Sequence, residues 1–107
     1  MADATNQEVQ FIDDLENATE FQLKHTPSVQ ITGPIINVSI GLQGLSHPQT
    51  EEHFIEYIAL LAGNKLVEKI EFDFEQAPVA VFALPDTDET LVVQALCNLH
   101  GLFGAYV

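Results

Sequence analysis

The chain has 107 residues, 47% of them hydrophobic, with sixteen Asp and Glu against three Lys and no Arg, for a net charge of −13. That length holds one domain, and the apolar content is too high for a disordered chain. Nucleic-acid binding is excluded, because such affinity comes largely from Lys and Arg meeting phosphates. No apolar run approaches the roughly 20 residues of a membrane helix. Met1 to Glu20 carries six acids and no base, which fits neither a signal nor a transit peptide; the expectation is a soluble cytoplasmic protein.

Residues 1–20 form an acidic lead-in, in which Val9, Ile12 and Leu15 recur at helical spacing. A short amphipathic helix over Thr5 to Leu15 and a partly ordered tail are both compatible with that pattern. From Lys24 onward the signals become strand-like. Ser28 to Thr32 is β-prone and ends at Gly33-Pro34, and Ile35 to Leu42 is rich in branched residues. Gly41 and Gly44 loosen the chain into a loop containing Ser46-His47-Pro48. Phe54 to Leu61 fits helix or strand by periodicity; its Ile, Tyr and Phe content and the following Gly63-Asn64 turn favour strand. Alternation over Ile70 to Phe74, within Leu66 to Phe74, reads as a half-buried strand. Val79 to Leu84, Thr90 to Leu96 and Leu102 to Val107 complete the set, punctuated by Pro78, Pro85, Asp86 and Asp88. About seven short strands with no room for crossover helices predict an all-β fold, an immunoglobulin-like antiparallel β-sandwich over residues 21–107.

Cys97 is the single cysteine, so the chain makes no internal disulfide and no four-cysteine metal site. It lies three residues before His100, in Cys97-Asn98-Leu99-His100. His47 and His53 flank a Pro-containing segment, and His25 opens the first predicted strand. None of these is informative alone, since a lone Cys is most often buried filler and a lone His a hydrogen-bonded residue. Together they make four imidazoles and one thiolate at strand ends and loops, which can converge at one end of a sandwich. Five donors exceed the four of a structural zinc site. Iron and copper both suit imidazole with thiolate, although a blue-copper site usually adds an axial Met, and the only methionine is Met1.

The motif His47-Pro48-x-Thr50-x-Glu52-His53-x-Ile55-x-x-Ile58-x-Leu60, followed by Cys97-Asn98-x-His100-Gly101-Leu102, resembles the superoxide reductase family, the iron-binding domain shared by neelaredoxin and desulfoferrodoxin. Lys24-His25-x-Pro27 matches that family's first motif, and the resemblance spans about residues 24 to 103. It implies an immunoglobulin-like sandwich and one iron per chain (Fe2+/Fe3+), held by His25, His47, His53 and His100 with Cys97 as axial thiolate. It further implies reduction of superoxide to hydrogen peroxide and re-reduction by an external electron donor such as a rubredoxin-like protein. Homo-oligomers, dimers or tetramers, are the implied assembly. The lysine of the first motif, here Lys24, is expected to attract the anionic substrate and help deliver protons. The alternative keeps the sandwich as a metal-binding carrier or electron-transfer protein without that activity.

Two positions depart from the family pattern. Leu23 stands where most members place a Glu able to cap the oxidised iron, so an iron that is five-coordinate, or capped by water or hydroxide, is expected; Glu20 lies three residues upstream. Phe103 stands in a position often held by Trp, which keeps an aromatic cover and loses the indole N–H. Glu52, beside His53, is a candidate to orient an imidazole. The four-cysteine domain of desulfoferrodoxins has no counterpart here, so the chain reads as the one-iron type, and its electrons come from another molecule.

Overall fold

A computed structural model describes residues 8–107. Two sheets face each other. The larger is built from β1 (Val9–Gln10), β4 (Ile55–Ala62), β5 (Lys65–Glu71), β7 (Leu91–Cys97) and β8 (Gly101–Tyr106), in the order β1-β8-β7-β4-β5. The smaller contains β2 (Pro27–Thr32), β3 (Ile35–Ile40) and β6 (Val79–Ala83), in the order β2-β3-β6. The all-β sandwich expected from the sequence is the fold observed. Among the described residues, no helix is long and apolar enough to cross a membrane.

Alternation along the strands builds the core. Ile36, Val38 and Ile40 of β3 face Ala80 and Phe82 of β6 on one layer, and Val93, Ala95 and Cys97 of β7 line the other. Burial of an aliphatic side chain is worth about 1.5–3 kcal/mol relative to exposure, so this inter-sheet layer is the main source of stability. In β4 the inward residues are Ile55, Ile58 and Leu60. The first step of three, where a flat strand gives two, comes from an irregularity in the β4–β7 ladder between Ile55 and Tyr57. That spacing is what made the segment resemble a helix in the sequence.

Three elements differ from the sequence expectations. The helix considered over Thr5 to Leu15 lies partly outside the described residues. Where described, Val9 and Gln10 form β1, which runs parallel to β8 in an otherwise antiparallel sheet, and a single 3-10 turn follows at Leu15–Asn17. The segment takes this form because its apolar side chains seat on β8: the Phe11 ring stacks on Tyr106, and Val9 and Phe11 fill the space that Gly104, lacking a side chain, leaves open. Second, Lys24 and His25 do not open a strand. They close a helix, α1 (Glu20–His25), started by a capping box in which Thr19 and Gln22 satisfy each other's backbone N–H groups. Third, β5 is an edge strand with Leu66 and Val67 exposed, and it ends at Glu71 before the alternation of Phe72 and Phe74 is complete. The Phe72 N–H still bonds the Glu56 carbonyl, and its ring packs against the core.

One end of the sandwich collects the segments that matter for chemistry. The start of β2 opposes the end of β3 (Pro27↔Ile40), and the start of β4 opposes the end of β7 (Ile55↔Cys97), which opposes the start of β8 (Cys97↔Gly101). His25 of α1, Cys97 at the end of β7, and His47, His53 and His100 of the connecting segments all lie at that end.

Candidate metal centre

His25 sits in the last turn of α1 and is almost fully buried. Its Nδ1–H donates to the Phe21 carbonyl one helical turn back, at 2.7 Å. That bond fixes the tautomer and leaves Nε2 as the ring's free lone pair. His47 is held the same way: its Nδ1–H donates to the Pro48 carbonyl at 2.6 Å, and its Nε2 is buried without a hydrogen-bond partner. His53 also has a buried Nε2 with no partner.

His100 presents its other nitrogen. The β7–β8 connection is a three-residue turn closed by Gly101, whose φ of +88° is unfavourable for residues with a side chain. This turn brings His100 Nδ1 to 3.7 Å from Cys97 Sγ and 3.2 Å from His25 Nε2. Because the His25 Nδ1–H is committed to Phe21, the His100 Nδ1–H is the donor in the metal-free pair.

The four rings form a closed circuit. Ring centroids lie 4.6 Å apart for His25 and His47, 4.5 Å for His47 and His53, 5.1 Å for His53 and His100, and 5.0 Å for His100 and His25. Neighbouring planes meet at 79°, 78°, 76° and 88° in the same order. His25 and His53, opposite in the circuit, are 5.9 Å apart with planes only 32° from parallel. Ligand atoms of His25, His53, Cys97 and His100 all lie within 4.8 Å of one another. His47 is not in that tightest set; it closes the circuit opposite His100.

The groups around the rings hold them in place. Asn98 brackets His53 from both sides: its Oδ1 accepts the Phe54 N–H at 3.0 Å, and its Nδ2 donates to the Glu52 carbonyl at 3.0 Å. It thereby ties the Cys97–His100 turn to the His53 turn. Within the latter, Thr50 and His53 exchange backbone hydrogen bonds, while Gln49 Oε1 accepts the Ile55 N–H and Gln49 Nε2 donates to the Gln76 carbonyl. Gln10 of β1 donates to the His100 carbonyl at 2.9 Å. Glu52, considered above as an orienting carboxylate, joins the site through its backbone carbonyl. Phe103 is buried and stacks on His25 with centroids 4.6 Å apart. Phe21, Asn98 and Gln10 carry roles that sequence reasoning missed; the Thr19-x-x-Gln22 capping signature was the one signal that could have revealed α1, and with it Phe21 one turn before His25.

Electrostatics favour ligand-ready imidazoles. Burial lowers the His47 pKa from 6.5 to about 4, partly offset by the Pro48 carbonyl, with His25 and His53 adding to the lowering. Burial likewise lowers His25 and His53, and the charge of Lys24 contributes to the lowering at His25. These three rings are neutral at pH 7 and keep a lone pair for a cation. Burial pushes the Cys97 thiol up, against the Leu99 and His100 backbone N–H groups that bond its sulfur. The free thiol is therefore protonated, and metal binding would release that proton. Lys24 is half-buried on α1 and pairs with Glu20 at 3.0 Å. Leu23 is buried, and its carbonyl accepts the Leu42 N–H.

Buried polar atoms without partners cost about 1–3 kcal/mol each and are rare in native structures. The orphaned Nε2 atoms of His47 and His53 are explained if a cation sits where the rings converge. The donor set of imidazole and thiolate fits a transition metal.

A family model described as desulfoferrodoxin matches residues 17–105. The chain belongs to the desulfoferrodoxin family. The desulfoferrodoxin of Clostridium acetobutylicum is 39% identical over 84 residues, covering 78% of this chain and 62% of that protein. The chain thus spans less than two thirds of that relative's length. Among solved structures, the one-iron superoxide reductase of Giardia intestinalis superposes with a TM-score of 0.70 at 30% identity, covering 78% of this chain and 96% of the other. A variant of the superoxide reductase (neelaredoxin) of Archaeoglobus fulgidus, in the reduced form, gives 0.69 at 28% identity, covering 85% and 92%. Of the two positions singled out in the sequence, Leu23 is packed into the fold and Phe103 lies against His25.

Proposed function

We infer that this desulfoferrodoxin-family protein is a superoxide reductase with one iron per chain, held by His25, His47, His53, His100 and Cys97. The observation that carries the reading is the closed circuit of four imidazoles beside a buried cysteine, with two ring nitrogens lacking any partner. Iron held by these residues would supply the single electron that superoxide requires. The balance is one superoxide, one electron and two protons giving one hydrogen peroxide, and the electron is returned by an external donor such as a rubredoxin-like protein. Zinc has no second oxidation state to offer for this step.

The chain's own groups account for the rest. Phe21 and Pro48 carbonyls fix His25 and His47 with Nε2 directed at the convergence point. As a thiolate, Cys97 would raise electron density at a bound metal, as cysteine thiolates do in haem enzymes. Lys24 places a positive charge beside His25 on a chain of net charge −13. Screening over about 8 Å at physiological salt weakens distant repulsion, so a charge this close to the rings counts for more than the distant acids, even partly offset by its Glu20 partner. With Leu23 buried and Glu20 paired to Lys24, no carboxylate of the described residues joins the cluster, and none competes with the substrate anion.

The test is product stoichiometry. Iron-loaded, reduced protein mixed with superoxide should yield one hydrogen peroxide per superoxide consumed, with one iron oxidised and no dioxygen formed. Dioxygen at half the superoxide consumed would mean dismutation, and an unchanged superoxide decay rate would remove the assignment altogether.

A further inference from the structure

Phe21 is 43% exposed, an unusual placement for a phenylalanine on a short helix. Its ring does not point away from the fold. It lies 4.4 Å from the His25 ring, at 35°, and 4.9 Å from the His100 ring, at 80°. It also meets the edge of Phe103, at 5.8 Å, and Phe103 in turn stacks on His25. The same residue accepts the His25 Nδ1–H through its carbonyl. One residue therefore contacts two of the rings at once, and these are the two whose nitrogens stand 3.2 Å apart.

His100 is where such support is needed. It is the exposed member of the tightest cluster, whereas His25 and Cys97 are buried and His53 is partly so. Its ring projects from a turn, and its backbone is braced by Gln10 on one side. Among the described residues, the ring contacts of His100 are with His25, His53 and Phe21. Of these, only Phe21 is not itself a candidate ligand. An edge-to-face aromatic contact of this type is worth about 0.5–1.5 kcal/mol beyond its area, enough to bias a surface imidazole toward one rotamer.

We propose that Phe21 is a positioning residue of the metal centre, its ring holding His25 and His100 in ligating orientation and shielding that side from water, a role that rests on the iron centre inferred above. It acts through the two imidazoles and touches neither substrate nor metal. Outer groups that orient ligands typically contribute 10–100-fold to metal affinity, and the lower half of that range suits a ring that is partly solvated.

Phe21→Ala isolates the ring, because the backbone carbonyl that bonds His25 remains. Alanine is also the better helix former, so the substitution does not weaken α1 through helix propensity. The readouts are Co(II) affinity of the full metal-free chain by chelator competition, the Co(II) absorption spectrum, and the reduction potential of the iron-loaded protein. Phe21→Ala is expected to bind Co(II) about tenfold or more weakly, with an altered ligand-field spectrum and a shifted potential, while the urea midpoint without metal changes little. Phe21→Tyr should restore affinity and spectrum. A purely structural role would lower the urea midpoint and leave the spectrum and potential of the loaded protein as they are. Affinity within twofold of the parent with an unchanged spectrum overturns the proposal, as does a Tyr variant as weak as Ala. A parent chain that binds neither Co(II) nor iron overturns the metal centre itself, while a parent that binds iron tightly but fails to reduce superoxide leaves Phe21's role standing and removes only the assigned activity.

Discussion

Helix α1 delivers His25 and two turns deliver the other four candidate ligands, and the turns are built differently. The Cys97–His100 turn inherits its geometry from the β7–β8 ladder: Cys97 is the last strand residue, Gly101 the first of the next, and the φ of Gly101 closes the turn. The segment carrying His47 and His53 has no ladder. Its shape comes from a reciprocal backbone pair between Thr50 and His53 and from side chains bonding backbone: Thr50 to His53, Gln49 to Ile55 and Gln76, and Asn98 to both neighbours of His53. The first turn is set by the ladder and a glycine, the second by a few polar contacts worth about 0.5–1.5 kcal/mol each. Substitutions should separate these contributions: removing the thiolate changes chemistry, and removing a polar tie to the second turn changes affinity.

The largest effect is expected at Cys97. Cys97→Ser keeps the turn, since the buried volume barely changes, but removes the thiolate. The sulfur-to-iron absorption band of the oxidised protein should vanish and superoxide reduction should fall by orders of magnitude, read by visible spectroscopy and stopped flow. Asn98→Ala comes next, because it cuts the tie between the two turns. It should cost about 1–3 kcal/mol of stability by freeing two backbone groups and weaken iron binding about 10–100-fold, while the absorption band of the fraction that still binds keeps its position. Equilibrium dialysis with chelator, alongside urea unfolding, measures both.

Acidity probes the same contrast in the metal-free chain. His47 titrates near 4 in the fold and near 6.5 when unfolded. Between those values the unfolded chain binds more protons, so stability falls as pH falls through the window; burial shifts His25 and His53 in the same direction. Urea midpoints from pH 7 to 5.5 should decline, and His47→Gln should flatten the decline. The smallest effect belongs to Lys24. Its exposed pair with Glu20 adds little to stability, so Lys24→Ala should leave the urea midpoint unchanged. The same substitution should slow reaction with superoxide several-fold at low salt, and the deficit should shrink as salt screens the charge.

Much of this architecture could be read from the residues, and the exceptions have physical causes. Strands with one buried face, such as β3 and β6, showed their alternation directly. β4 was ambiguous because its irregularity places Ile55 and Ile58 on the same face at a helix-like spacing. The half-buried alternation read over Ile70 to Phe74 holds, with Ile70 and Phe72 packed on the core; what it did not reveal is that β5 ends at Glu71 and, as an edge strand, leaves Leu66 and Val67 in water. α1 was hidden by a β-prone neighbourhood, although its capping box was visible at Thr19 and Gln22. Motif spacing singled out the five candidate ligands. Phe21 and Gln10 were not legible, because their contacts depend on a helix and a parallel strand pair that local pattern did not announce.

The central claim is that four imidazoles and one thiolate converge on a single iron. X-ray absorption at the iron edge of the loaded protein tests it most directly. Four nitrogen donors with one sulfur donor, and loss of the sulfur contribution in Cys97→Ser, are the predicted result. An iron environment without sulfur, or a chain purified from iron-rich medium holding zinc or no metal, would contradict it.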